Sequence, residues 1–93
     1  MGEHPHAQLY RELAARVARI EGHTRAVARM LEEGRSCPEI LHQVRAVKAA
    51  WDKVAAMLFD EHLKVCVVHA VRDGTLEQSL EGLREALKEY LGQ

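Results

Sequence analysis

His62 and Cys66 stand four residues apart in a stretch without Gly or Pro, and His69 follows three residues later. On a helix, residues three and four apart share a face, so an imidazole and a thiolate at this spacing can bind one metal ion. Taken alone, the pair is a weak signal. A half-buried histidine with a backbone partner and a cysteine acting as a small hydrophobe fit the same spacing, and without context the two read that way. Cys37 changes the weighing. It falls in the expected first turn of the same helix, where backbone amides and the helix dipole stabilise a thiolate. Cys37 and His62 are 25 residues apart, about 37 Å along a continuous helix. They cannot meet within one chain, but they meet if two copies of that helix pack antiparallel. Setting Cys37 opposite the midpoint of His62 and Cys66 puts the two-fold axis near residue 50, within Ala49-Ala50-Trp51. Small side chains there permit close helix approach beside one large anchor. Each site of such a dimer would hold two thiolates and one imidazole.

That donor set is soft and selects Cu(I), zinc or an iron–sulfur cluster over hard cations. Three ligands suit trigonal Cu(I). Zn(II) would want a fourth, for which His69 is a candidate. Ni(II) and Co(II) ordinarily take more nitrogen ligands. His4 and His6 could supply them if the N-terminus folded over the site, although the simpler reading of those two is a tail that takes no part.

The basic residues suggest a different chemistry. The net charge is −1, but residues 1–53 hold nine Lys/Arg against seven Asp/Glu, and residues 54–93 hold four against seven. A nucleic-acid surface, if present, belongs to the first half. Arg16 and Arg19 lie three apart, away from the apolar face of their segment, and Arg25, Arg29, Arg45, Lys48 and Lys53 add positive charge. Interspersed Glu12, Glu21 and Asp52 also fit an ordinary solvated face. An oligomer would repeat the patch and so match several DNA phosphates. No helix-turn-helix or zinc-finger spacing is visible.

Three segments must position these groups. The first carries Leu9, Leu13, Val17, Ile20, Thr24, Val27, Met30 and Leu31 in steps that mostly alternate between three and four. Gly34 suits the left-handed position past its end, and Gly22 interrupts it, which a close approach by another backbone would explain. The second opens with Ser36 as N-cap and Glu39 at the capping-box position, and runs without a breaker to about Arg72. A helix that long needs a partner of similar length. The third starts at Thr75 as N-cap and places Leu76, Leu80, Leu83, Leu87 and Leu91 opposite Glu77, Glu81, Glu85 and Glu89. Strand signals are absent. The expected fold is all-α with a long central helix, in one domain over residues 1–93 with helices at about 6–33, 37–72 and 76–91.

Composition excludes several classes. At 47% hydrophobic and 29% charged residues, the chain is not disordered. Two cysteines in 93 residues exclude a disulfide-rich secreted scaffold. No apolar run approaches the roughly 20 residues of a bilayer span, and MGEHPHAQLYRE contains no signal-peptide core. A cytoplasmic protein with reduced thiols is expected. An enzyme is not, because no nucleophile–base pair or phosphate loop is visible.

The stretches RVARIEGHTRAVARMLEEGRSCPEILHQVRAVKAA and DEHLKVCVVHAV resemble the copper-sensing repressor family, CsoR with its relatives RcnR, FrmR and CstR. The resemblance covers about residues 9–91. It implies a three-helix protomer, an antiparallel dimer with a four-helix-bundle core, and a tetramer made of two dimers. It also implies a repressor that binds operator DNA when metal-free and lets go when its inducer binds. The family's copper ligands match Cys37, His62 and Cys66, the last two from the other protomer. Basic positions implicated in DNA binding match Arg16, Arg19 and Lys53.

Ligand identity separates the relatives. The formaldehyde sensors usually lack Cys at the position of Cys66, and the persulfide sensors lack His at that of His62. The nickel/cobalt sensors have His at the position of Cys66 and another near the N-terminus, which His4 and His6 flank without occupying. His69 has a counterpart in that group. Cu(I) therefore leads as inducer, with Ni(II), Co(II), Zn(II) or a reactive sulfur species as alternatives. A metal buffer with no DNA role is a rival of another class. Two departures bear on signalling. Ser36 stands where many copper sensors carry Tyr, and Gly82 stands where they carry a Glu on the third helix, with Glu81 about 100° round the helix from it.

Overall fold

The computed structural model describes residues 6–92, and every regular element among them is helical. Helix α1 spans Ala7–Glu32 and α2 spans Cys37–Glu61; a π turn, His62–Cys66, leads into α3, Val67–Asp73; and α4 spans Leu76–Leu91. The chain divides into two compact units, residues 1–56 and 57–93.

In the first unit, α1 and the opening of α2 form an antiparallel hairpin. The link between them follows from local chemistry. Gly34 adopts φ +67°, a conformation that costs other residues about 1–2 kcal/mol. This lets Gly34 N–H donate to Leu31 O at 3.1 Å and Arg35 N–H to Met30 O at 3.0 Å, the paired bonds that satisfy a helix's last carbonyls. The next helix starts at once. Glu39 N–H donates to Ser36 Oγ, and Ser36 N–H donates back to Glu39 Oε1, both at 3.3 Å. Two otherwise orphaned amides are thereby satisfied. Arg35 Nη2 reaches Glu39 Oε2 at 2.6 Å. Its hydrogen bond, and then that of Ser36, holds the Glu39 carboxyl below its ordinary value. Further along the hairpin, the His23 ring Nε2 meets Gln43 Oε1 at 2.6 Å. Leu13 and Ile20, seven apart on α1, are buried, as is Val54 on α2. Among the described residues, and beyond Gly22's own helix backbone, a Cβ at Gly22 would meet only the tip of Arg25 within 4 Å, at 3.9 Å. The expected close approach is thus not made by another backbone among them.

In the second unit, α3 ends as α1 does. Gly74 takes φ +73°, and Thr75 N–H donates to Ala70 O at 2.8 Å. Thr75 occupies the N-cap position of α4, but its side chain makes no capping bond. Its ψ of 22° lies outside the extended region from which a hydroxyl reaches back to the first turn. Leu80, Leu83 and Leu87 of α4 face Phe59 and Leu63 across an apolar groove, and Phe59 meets Tyr90 edge to face with centroids 6.4 Å apart. The sequence pattern predicts an unbroken α-helix through residue 72. Instead the helical run carries the π turn, which adds one residue to a turn without ending the helix.

Candidate metal centre

His62 and Cys66 are the first and last residues of the π turn. Such turns recur at functional sites because they re-aim side chains within a helix. The His62 ring Nδ1 lies 3.0 Å from Leu58 O. A carbonyl only accepts, so Nδ1 carries the proton and Nε2 is the nitrogen able to bind a metal. A backbone carbonyl on the far ring nitrogen is the usual device that orients a ligating histidine. The ligand atoms of His62 and Cys66 lie within 4.8 Å of each other. Bonds of about 2.0 Å to nitrogen and 2.3 Å to sulfur would place two donors roughly 3.5–4 Å apart. A small rotamer adjustment therefore lets both bind one ion, and the pair fits a soft metal.

The other expected ligands fall as follows. Cys37 is the first residue of α2, exposed and a free thiol. It sits inside the Ser36–Glu39 capping box, so its backbone is fixed while its side chain remains accessible. Cys66 is likewise outside any disulfide and half-buried. His69 is exposed on α3 and lines a shallow crevice with Cys66, Asp73, Thr75, Gln78 and Ser79. His6 precedes α1, is buried, and stacks on Tyr10 with ring centroids 5.6 Å apart. His4 lies outside the described residues. Beyond its own helix backbone, no atom of the described residues lies within 4 Å of where a Cβ at Gly82 would stand. Glu81 beside it is paired with Arg84 at 3.2 Å, so its carboxylate is already engaged on its own helix.

The basic residues are grouped by the first unit. Arg16, Arg19 and His23 line one narrow crevice with Ile20 and Ala50. Glu12 lies 3.8 Å from Arg16 Nε, and that nitrogen is buried without a hydrogen-bond partner. Lys53 is exposed on α2. The sequence reading passes over His23, although its spacing of four from Arg19 and seven from Arg16 places it on their face. Gln43 gave no signal, because its pairing with His23 is tertiary.

Comparison with known proteins identifies the chain's relatives. The family described as metal-sensitive transcriptional repressor matches residues 10–89. The copper-sensing transcriptional repressor RicR of Mycobacterium tuberculosis is 44% identical over 71 residues, which cover 76% of this chain and 74% of RicR. The copper-sensing repressor CsoR of Geobacillus thermodenitrificans, whose crystal structure contains Cu(I), matches with a TM-score of 0.86 at 34% identity. That match covers 98% of this chain and 93% of the other. The nickel-responsive transcriptional regulator InrS matches with a TM-score of 0.78 at 45% identity, over 86% of this chain and 90% of that one.

Proposed function

The chain belongs to the metal-sensitive transcriptional repressor family, and from that premise we propose that it binds operator DNA when metal-free and leaves it when Cu(I) binds. Release would derepress genes of copper efflux and homeostasis in the cytoplasm. The carrying observation is the His62–Cys66 pair, with its imidazole tautomer set by Leu58 O and its donors close enough to share an ion. Cys37 of a second copy completes the set, because a soft three-donor site suits Cu(I). The whole chain acts as one sensing and DNA-binding domain, with Arg16, Arg19 and Lys53 contacting phosphates.

A second copy is needed on packing grounds too. Leu13, Ile20, Val54 and Ala70 are the buried hydrophobics among the described residues, whereas Leu41, Val44 and Trp51 on α2 are 60%, 44% and 45% exposed. A chain of this size with so small a core gains stability by covering such a stripe. An antiparallel dimer, and a dimer of dimers, would cover it and multiply the basic crevice. No helix among the described residues is long and apolar enough to cross a membrane.

Cu(I) must bind the state with low DNA affinity better than the state with high affinity. By reciprocity, DNA must then weaken Cu(I) binding, by a coupling of about 1–3 kcal/mol. The test is an anaerobic titration of the reduced protein, bound to its own upstream DNA, with Cu(I) and in parallel with Ni(II). Release by about one Cu(I) per protomer, and not by Ni(II), is expected. Release by Ni(II) alone would reassign the inducer. Tight Cu(I) binding without release would remove the regulatory role while keeping the site.

A further inference from the structure

Arg16, Arg19 and His23 converge on one crevice of the α1–α2 hairpin, and among the described residues no carboxylate lines it. Ala50 carries only a methyl group, so the facing helix leaves room there. The recorded acid partner of Arg16 is Glu12, at 3.8 Å. That distance is too long for a hydrogen bond, and Arg16 Nε is left buried without an acceptor. His23 is tethered from the other side, its Nε2 2.6 Å from Gln43 Oε1. An amide oxygen accepts, so Nε2 carries a proton. In the neutral ring Nδ1 is then a lone pair, which repels an anion's oxygen. In the imidazolium Nδ1–H becomes a donor.

We infer that a DNA backbone phosphate seats in this crevice on Arg16, Arg19 and protonated His23, with Gln43 holding the ring, so that each engaged seat takes up one proton from solvent. The inference rests on the reading of this chain as a DNA-binding repressor. The charged groups recorded around His23 are Arg16 and Arg19 on its own helix, with Glu12 beside Arg16. From α2 come Gln43 and Ala50, both uncharged. A phosphate seated on the two guanidinium groups places its negative charge beside the ring and favours the imidazolium, which can donate to it through Nδ1–H. DNA affinity therefore rises as pH falls through the histidine range.

The test uses the full-length, reduced, metal-free protein and a duplex from its own upstream region, at constant ionic strength near pH 6 and pH 8. The parent is expected to bind on the order of tenfold more tightly at the lower pH. His23→Gln, with helix content checked by circular dichroism, should lose most of that ratio. In parallel, NMR follows the titration of the His23 ring, whose midpoint should move up when duplex is added. A His23→Gln protein that keeps the parent's pH ratio overturns the inference and leaves the repressor reading intact. So does a ring midpoint that inorganic phosphate moves and the duplex does not. A parent that binds no duplex at either pH overturns both.

Discussion

His62 and Cys66 illustrate how little a residue's type decides and how much its surroundings do. Both are side chains that cores commonly contain. What makes this pair a candidate centre is that Leu58 O accepts a hydrogen bond from Nδ1–H, while the π turn holds both donors within 4.8 Å of each other. The backbone bond sets the ring's tautomer and orientation, leaving Nε2 as the nitrogen able to bind a metal. The guanidinium groups of Arg16 and Arg19, proposed above to contact DNA, line a crevice of the first unit that contains neither His62 nor Cys66. Removing one ligand should therefore separate sensing from binding. Cys66→Ala replaces a half-buried thiol with a smaller apolar group, so the fold should survive. We expect Cu(I)-induced release to be lost while the metal-free protein keeps its operator affinity within about twofold. Fluorescence anisotropy on labelled operator, with and without Cu(I), measures both quantities. Normal release from the Cys66→Ala protein would remove Cys66 from the ligand set.

At the scale of elements, the start of α2 shows why its position matters to Cys37. Ser36 and Glu39 exchange hydrogen bonds, and Arg35 closes on the same carboxylate. Ser36→Ala should cost about 1 kcal/mol of stability by thermal unfolding at neutral pH. The Glu39 carboxyl is held below its ordinary value by the Arg35 hydrogen bond first and by Ser36 next. A depressed folded value means that the contribution is present above the unfolded carboxylate range and is lost as pH falls through the folded one. The difference in unfolding temperature between the parent and Glu39→Gln should accordingly shrink on acidification below about pH 4. A gap that widens in acid would overturn the assignment. This cap and the Gly34 turn were legible in the sequence because each depends on local chemistry: a hydroxyl three residues before a carboxylate, and a residue that accepts positive φ. The all-α class was legible from the period of the leucines. The π turn was not, because a π turn differs from an α turn by one residue and demands no particular side chain. Thr75 misled because a capping residue type does not guarantee the backbone dihedrals that let it cap. His23 and Gln43 were illegible for another reason: their meeting depends on the hairpin's register across 20 residues.

At the scale of the whole molecule, the proposed site is one that a single chain does not complete, and this gives it a decisive test. In a two-fold dimer each site takes Cys37 from one protomer and His62 with Cys66 from its partner, so the two copies contribute reciprocally. A Cys37→Ala chain lacks the first contribution and retains the second; a Cys66→Ala chain does the reverse. Each variant alone has every site broken. Co-expressed in equal amounts, they assemble at random, and about half of the dimers contain one chain of each kind. Each of those holds one site with all three ligands and one that lacks both thiols. The mixture should recover roughly a quarter of the parental high-affinity Cu(I) capacity, with none in either variant alone. If Cys37 instead served the centre of its own chain, no copy in the mixture would carry an intact set and the capacity would stay at zero. Capacity present in either single variant would mean that two ligands suffice. An equilibrium titration of the mixture against a Cu(I) chelator distinguishes these outcomes, and tagged, separately purified mixed dimers should show about half the parental capacity. The exposed Leu41, Val44 and Trp51 stripe on α2 provides the apolar surface on which the two chains would meet. Its replacement by charge in the mixed sample, as in Val44→Glu, should abolish the recovered capacity without touching a ligand.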